Sequence, residues 1–307
     1  MEYCIVFGCC TIDKTRYEKD DTYFESFGGK GGNQAIALSR AGVKTILLSK
    51  FSHTKEEKSL TKSHIKNLKK NKVSTKYVAF DKEHRNDYTN VVIGLNGDNT
   101  LNEVIDISQS FTVDYVRKHK KLIEGAKYVL LQMKVPVDVT KEIISICKNA
   151  GVKTVLTPCR MEKIKANMDI IEKVDYITCN SKEVQEIFGK QGSLTATQLN
   201  SVLKKYPNKL IATLGGDGVK FHNGKKVVHE KAIKISNVVD TTGAGDTFCA
   251  NLVSSLMTGD DLQTAVRKGI CASTIKIQIT GTQTGMPKAK ERDKLFAKIY
   301  KGENAND

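Results

Sequence analysis

The sequence lacks any apolar run close to the roughly 18 residues that a membrane-spanning helix requires, although the chain has 307 residues. Its first ten residues, MEYCIVFGCC, contain a short apolar stretch, but Glu2 stands where a secretory signal would carry positive charge. The sequence also lacks a low-complexity linker, and it contains only four prolines. No segment therefore has the composition of a linker between domains. We therefore expect one domain over residues 1–307, in a cytoplasmic protein without contact to a membrane.

No C-x-x-C motif occurs among the eight cysteines, and most of them lie inside apolar segments. This pattern is typical of reduced, buried thiols and argues against a disulfide framework or a zinc site. The six histidines are scattered and show no spacing of metal ligands. The sequence therefore predicts that function depends on other residue types.

Acidic residues are outnumbered, with 34 Asp and Glu against 49 Lys and Arg, which gives a net charge of +15. Such a balance favours acidic partners such as nucleotides, sugar phosphates or nucleic acid. However, the densest basic run, KNLKKNKVSTK at residues 66–76, contains no aromatic side chain on which a base could stack. We interpret this run as the solvated end of a helix and do not expect nucleic-acid binding.

Short β-rich runs alternate with segments of helical periodicity along most of the chain. Examples are the strand-like YCIVFG and AKYVLLQ, and DVTKEIISICKNAG at residues 138–151, whose apolar residues recur at helical spacing. This alternation predicts an α/β fold, a doubly wound and mostly parallel sheet with helices on both faces. Residues 14–27 and 80–103 break the alternation and are expected to form a small β lid. Ligands of such folds bind beyond the carboxyl ends of the strands.

The first glycine-rich loop is FGGKGGNQAIALSRAG at residues 27–42. Four glycines surround Lys30, and Asn33 then opens a helix of small apolar residues. Glycines let the backbone approach a ligand closely, and free N–H groups at a helix start suit an oxygen-rich ligand. The loop matches neither G-x-x-x-x-G-K-[ST] nor G-x-G-x-x-G. A tight turn that only packs a helix against a sheet is the alternative.

The second glycine-rich loop, DTTGAGD at residues 240–246, follows a β-rich segment and precedes a helical pattern, TFCANLVSSLMTG. The backbone N–H groups of Gly243, Ala244, Gly245 and Asp246 are expected to form an anion cradle for a phosphoryl group in transfer. Asp246 could then accept a proton from an attacking hydroxyl. The alternative is that Asp246 merely caps the helix.

Together, GGKGGNQA and DTTGAGDTF resemble the two signatures of the ribokinase-like (PfkB) family of carbohydrate kinases, and the resemblance extends from FGCCTID to GTQTGMP. It implies transfer of the ATP γ-phosphoryl group to a sugar hydroxyl, with D-ribose and ribose 5-phosphate as the favoured acceptor and product. It also implies Mg2+, a K+ ion, and pairing of two lids in a homodimer. A kinase for a sugar phosphate or sugar acid, or a nucleoside kinase, remains an alternative.

The resemblance also implies roles for individual residues. The base is Asp246, and the anion hole comprises Gly243, Ala244 and Gly245. The sugar hydroxyls are bound by Asp13, Gly29, Lys30 and Asn33. The nucleotide, its phosphates and Mg2+ are held by Asn180, Glu183, Thr213, Gly215 and Gly218, and the K+ loop contains Asp240, Thr242 and Gly281. A capping box is the alternative for Asn180 and Glu183.

Lys134 departs from the family pattern, because ribose-specific members usually have a glutamate at this position beside the sugar. A cation here would suit an anionic acceptor through charge-assisted hydrogen bonds. The alternative is a lysine that points to solvent. The lid segment between Asp13 and Gly28 is also shorter than is usual in the family, so its edge could be too short to pair in a dimer.

Overall fold

The computed structural model describes residues 2–18, 21–93, 99–189 and 194–302, and it contains a large sheet flanked by helices. The sheet has eight strands in the order β14-β13-β12-β11-β10-β9-β1-β4, with β13 and β14 antiparallel and the other neighbours parallel. The predicted mostly parallel α/β fold is therefore confirmed. Its strands are Cys4–Phe7 (β1), Thr45–Leu48 (β4), Tyr128–Gln132 (β9), Lys153–Thr157 (β10), Tyr176–Asn180 (β11), Leu210–Thr213 (β12), Val219–His222 (β13) and Val227–Glu230 (β14).

Two smaller sheets lie outside the large one. The first has four strands in the order β3-β2-β7-β8, and the second pairs β5 with β6. The strands are Thr11–Tyr17 (β2), Tyr23–Gly28 (β3), Lys50–Ser52 (β5), Ala79–Asp81 (β6), Asp87–Ile93 (β7) and Asn99–Val104 (β8). The four-stranded sheet, called the small sheet below, contains most of the two segments predicted to form a lid. Residues 80 and 81 belong instead to the two-stranded sheet.

Helices cover both faces of the large sheet. They are Lys30–Arg40 (α1), Lys58–Lys70 (α2), Val113–Lys118 (α3), Lys120–Glu124 (α4), Val137–Ala150 (α5), Met161–Lys165 (α6), Asp169–Lys173 (α7), Ser181–Phe188 (α8), Ala196–Lys205 (α9), Ala244–Met257 (α10), Leu262–Lys276 (α11) and Ala289–Phe296 (α12). Alternate residues of β1 enter different cores, because successive strand residues point to opposite faces. Ile5 and Phe7 pack with α5, and Val6 packs with α1 and α10.

Local sequence explains where the main helices begin and end. In α5 the predicted apolar stripe is buried at Val139, Ile143 and Ile146, but its last member, Ala150, is exposed, and the helix ends at Gly151 in the left-handed conformation, with φ at 70°. The helix α10 begins after Gly243, also left-handed at φ 78°. Glycine adopts these angles without the steric cost that a side chain brings.

All eight cysteines are free thiols, and seven of them are buried. Among the described residues, no helix is long and apolar enough to cross a bilayer.

Candidate active site

Three of the predicted site residues lie at the carboxyl ends of parallel strands of the large sheet. Lys134 follows β9, Asn180 ends β11 and Thr213 ends β12, and the last two are register partners. The helices α1 and α10, which carry the two glycine-rich loops, pack against each other. The topology therefore brings the two predicted loops together at one edge of the sheet, where ligands of such folds bind.

Asp246 lies in the first turn of α10 and is buried, with 6% of the residue exposed. The Nε2 of Gln34 donates to its Oδ1 and the Nδ2 of Asn33 donates to its Oδ2, both at 3.1 Å. Both donors are neutral amides, so they fix the carboxylate without cancelling its charge. The cap alternative does not describe this geometry, because the side chain contacts the other loop and not the backbone of its own helix.

Sequence reasoning missed Gln34 and Gln132. Gln34 also donates to the Oγ1 of Thr157 at 3.1 Å, and its own Oε1 accepts a 2.7 Å hydrogen bond from Gln132. Gln34 is fully buried and Gln132 nearly so. These amides therefore form a second layer that orients the donor to Asp246. The only signal in the sequence was the position of Gln34 beside Asn33.

The predicted anion cradle is smaller than the sequence suggested. The N–H of Ala244 donates to the carbonyl of Thr241 at 3.1 Å and is thus occupied. Among the described residues, the N–H groups of Gly245 and Asp246 have no acceptor, and a Cβ at position 245 would meet no atom within 4 Å. The cradle therefore rests on Gly243, Gly245 and Asp246, with open space in front of Gly245.

Asp13 lies on β2 of the small sheet and faces the glycine loop. Its Oδ1 accepts a 3.0 Å hydrogen bond from Thr11, and a Cβ on Gly28 would come within 2.0 Å of its Oδ2. Only glycine at position 28 leaves room for the Asp13 carboxylate. Burial raises the pKa of Asp13, opposed by hydrogen bonds from Thr11 and Thr89. Gly29 has φ at 82°, and a Cβ there would meet the Thr11 backbone.

Lys30 is the first residue of α1 and lies between acidic groups. Its Nζ is 4.0 Å from Oε1 of Glu183. Burial acts to lower the pKa of Lys30, but the charges of Asp246 and Glu183 outweigh it and hold the pKa above its ordinary value. Lys30, whose side chain is 32% exposed, is therefore a charged group between the predicted base and the predicted phosphate site.

Asn180 and Glu183 form the capping box that the sequence left open. The Glu183 N–H donates to Oδ1 of Asn180 at 2.9 Å, and the Asn180 N–H donates to Oε2 of Glu183 at 2.8 Å. The second carboxylate oxygen, Oε1, takes no part in the box and faces Lys30. Burial raises the pKa of Glu183, opposed by the charge of Lys30. Capping thus leaves one oxygen of Glu183 for a ligand.

Thr213, Gly215 and Gly218 form a tight turn after β12. The two glycines have φ at 58° and 94°, and a Cβ on Gly218 would come within 2.1 Å of the Glu230 carbonyl. The Thr213 hydroxyl donates to the Cys179 carbonyl at 3.3 Å. The turn therefore requires glycine for its own geometry, whether or not it binds a nucleotide.

Lys134 matches neither alternative drawn from the sequence, because it is 7% exposed and paired. Its Nζ donates to Oε1 of Glu103, on β8 of the small sheet, at 2.6 Å. Arg160, in the loop after β10, donates to Oε2 of the same carboxylate at 2.5 Å. Burial would raise the pKa of Glu103, but the hydrogen bond and charge of Lys134 and the charge of Arg160 lower it. We call these three residues the Glu103 cluster.

The Asp240 loop joins two segments. Oδ1 of Asp240 accepts from the Thr242 N–H and Oδ2 accepts from the Gly281 N–H, both at 2.8 Å. The three predicted residues thus lie together. Within the described residues, no group of three or more His, Cys, Asp or Glu side chains is arranged to hold a metal ion.

A buried carboxylate beside open N–H groups, at the edge of a parallel sheet, has the groups that phosphoryl transfer uses: a proton acceptor and donors for phosphate oxygens. Residues 1–289 match the model of the pfkB family of carbohydrate kinases. The chain is 34% identical over 271 residues to the ribokinase of Lactococcus lactis subsp. lactis, with 86% of this chain and 83% of the relative covered. It is 29% identical over 303 residues to the ribokinase of Bacillus subtilis, with 96% and 99% covered.

The fold is shared with the structure of Arabidopsis thaliana ribokinase complexed with ribose and ATP, at a TM-score of 0.81 and 22% identity, with 96% of this chain and 99% of that chain covered. The chain belongs to the pfkB family of carbohydrate kinases, and the resemblance seen in its two glycine loops is confirmed. It is a sugar kinase, a phosphotransferase that takes its phosphoryl group from ATP.

Proposed function

We propose that the protein phosphorylates D-ribose at its primary hydroxyl and forms ribose 5-phosphate. The observation that carries this proposal is the buried Asp246 carboxylate, oriented by two neutral amides beside open N–H groups. The similarity to two ribokinases over most of the chain supports ribose as the acceptor.

The Glu103 cluster favours a neutral acceptor. Lys134 and Arg160 would attract a phosphate or carboxylate if they were unpaired. Here one carboxylate of the small sheet accepts hydrogen bonds from both cations, at 2.6 Å and 2.5 Å. An anionic sugar would have to displace Glu103 and leave it beside Asp13, another acidic group. Lys134 replaces the glutamate usual in the family, and Glu103 balances its positive charge within the protein.

The remaining steps follow from the positions of the polar groups. Asp13, Gly29, Lys30 and Asn33 bind the sugar hydroxyls and place the reacting oxygen near Asp246, which accepts its proton. The N–H groups of Gly243, Gly245 and Asp246 stabilise the charge on the migrating phosphoryl group.

The nucleotide lies at the ends of β11 and β12 in this proposal. Thr213, Gly215 and Gly218 contact ATP, while Asn180 positions Glu183. Mg2+, when bound with ATP, would supply positive charge to the phosphates. Oε1 of Glu183, free of the capping box, fits such an ion through water, since Mg2+ usually keeps several waters.

The small sheet acts as a lid in this proposal. Asp13 and Glu103 lie on it, and the Glu103 cluster connects it to loops of the large sheet. Closure over the sugar would exclude water and limit ATP hydrolysis. A homodimer formed through this sheet and a cytoplasmic location remain predictions.

The test is ADP release from MgATP with ribose, 2-deoxyribose, fructose, fructose 6-phosphate, gluconate and inosine as separate acceptors. We expect the largest kcat/KM with ribose. A larger value for an anionic sugar would favour the kinase for a sugar phosphate or acid, and a larger value for inosine would favour a nucleoside kinase. Either result would overturn the ribose assignment.

A further inference from the structure

A lysine outside the predicted site is fully buried under the Asp240 loop. Lys276 is the last residue of α11, and its side chain is 0% exposed. Its Nζ donates to the backbone carbonyl of Asp240 at 2.8 Å and lies 3.6 Å from Oδ2 of the same residue. A buried ammonium group is costly unless it is paired and hydrogen-bonded. Asp240 supplies both partners.

The contacts of Asp240 extend this pairing to the anion loop. The N–H groups of Val239 and Asp240 donate to the Ile277 carbonyl at 2.8 Å and 3.1 Å. The Asp240 carboxylate then bonds Thr242 and Gly281. Residues 239–242 are thereby held against residues 277–281, directly before Gly243, where α10 begins. The Lys276 charge thus lies at the base of the loop that carries the anion cradle.

We propose that the Lys276 ammonium group takes the structural place of a monovalent cation, so that the loop is ordered without K+. A carbonyl oxygen and a carboxylate oxygen are the ligands that would attract K+. Both already face Nζ, and their single negative charge is balanced by Lys276. A second cation at this carbonyl would be repelled at short range in a buried environment. The residues around Asp240, Thr242 and Gly281 therefore do not fit the K+ ion that family resemblance implies.

The charge states are consistent with this pairing. Burial lowers the pKa of Lys276, while the charge of Asp240 and the hydrogen bond to it act in the opposite direction. Burial would raise the pKa of Asp240, but hydrogen bonds from Thr242 and Gly281 and the charge of Lys276 lower it. Lys276 is a positioning residue, because it acts on phosphoryl transfer only through the loop.

The experiment compares wild type, Lys276→Ala and Lys276→Met in buffers whose only monovalent cation is K+, Na+ or N-methyl-D-glucamine. We expect the wild-type kcat to change less than about twofold among the three buffers. We expect Lys276→Ala to lose at least about tenfold in N-methyl-D-glucamine and to regain much of this in K+, which can enter the vacated space. Lys276→Met fills that space with apolar atoms, so K+ should not rescue it.

A second readout does not depend on turnover. K+ should raise the melting temperature of Lys276→Ala by several degrees, but not that of wild type or Lys276→Met. Lys268→Ala is the matched control, since Lys268 is on the same helix and pairs with Asp260. A tenfold loss of wild-type rate without K+, or a K+-dependent rise in wild-type melting temperature, would overturn the proposal. If no acceptor is turned over, the proposed function fails, and the melting temperatures still test Lys276.

Discussion

Two carboxylates, those of Asp246 and Glu103, are held by different chemistry. Asp246 receives hydrogen bonds from the neutral amides of Asn33 and Gln34, whereas Glu103 receives them from the cations Lys134 and Arg160. Amides orient a carboxylate and leave its charge available to a proton in transfer. Cations neutralise the carboxylate and bind the small sheet to the large one. The comparison teaches that amide donors leave a carboxylate charged whereas cationic donors neutralise it, and this difference is why we propose Asp246 as the base and Glu103 as a residue that closes the site.

The largest effect is expected from Asp246→Asn, which tests whether the amide-bound carboxylate is the general base. We expect kcat to fall about 10³-fold, because general-base catalysis by one side chain contributes of this order. ATP affinity, measured by calorimetry, should stay within about threefold of wild type, because no proton is transferred on binding. The measurement is ADP release that depends on the sugar.

Asp261→Asn is the matched control for this variant. Asp261 caps α11 by accepting from the Thr264 N–H at 2.9 Å, and asparagine caps helices equally well. Its activity should be that of wild type. A kcat for Asp246→Asn within tenfold of wild type would show that Asp246 is not the base.

A milder change, Glu103→Gln, tests the other carboxylate. We expect the KM for the sugar to rise roughly tenfold, the equivalent of about 1.4 kcal/mol, with a smaller effect on kcat. The freed cations should also bind anions, so ribose 5-phosphate should inhibit the variant more strongly than wild type. Steady-state kinetics with and without ribose 5-phosphate measure both effects.

Glu25→Gln serves as the control on the same sheet. Glu25 accepts from the Tyr23 hydroxyl at 3.0 Å and lies 3.8 Å from Lys14, and both of these partners are on the small sheet. We expect its kinetics to match wild type. Unchanged KM and unchanged inhibition in Glu103→Gln would mean that the Glu103 cluster has no role in acceptor binding.

The smallest effect concerns a third group, the buried imidazole of His64, which packs near the first glycine loop. His64 is buried between Phe27 and Phe51, with ring centroids 4.4 Å and 5.1 Å away, and neither ring nitrogen has a hydrogen-bond partner within the part of the chain that the structure describes. Burial lowers the pKa of His64 from 6.5 to about 3. As the pH falls from 6.5, the unfolded chain binds a proton here and the folded chain does not, so stability is lost.

The variant His64→Phe should remove this loss. Between pH 6.5 and 4 we expect its free energy of unfolding to fall less steeply than that of wild type, by up to about 1.4 kcal/mol per pH unit. His229→Phe, at an exposed histidine on β14, should keep the wild-type slope. Urea unfolding at several pH values measures the slopes. Equal slopes in wild type and His64→Phe would show that His64 titrates normally.

Local patterns predicted the strands of the parallel sheet and the helices α1 and α10, but α1 begins at Lys30, before the predicted start at Asn33, and residues 231–239 do not form the strand expected before the Asp240 loop. The apolar spacing of residues 138–151 gave α5 nearly to its ends. The antiparallel strands β13 and β14 were not predicted, and neither was the layer of Gln34 and Gln132 behind Asp246. Side-chain pairing of this kind carries no periodic signal, because Gln34 and Asp246 are separated by 212 positions.

The sequence by itself determined the family, the two glycine loops and Asp246 as the candidate base, because each is encoded by residues adjacent in the chain. The tertiary structure decided what surrounds them. It paired Lys134 with Glu103 and Lys276 with Asp240. From composition alone, the charge of these two buried lysines would be assigned to an acidic partner molecule. The physical reason is that a buried charge requires a nearby opposite charge, and folding selects that partner from residues distant in sequence.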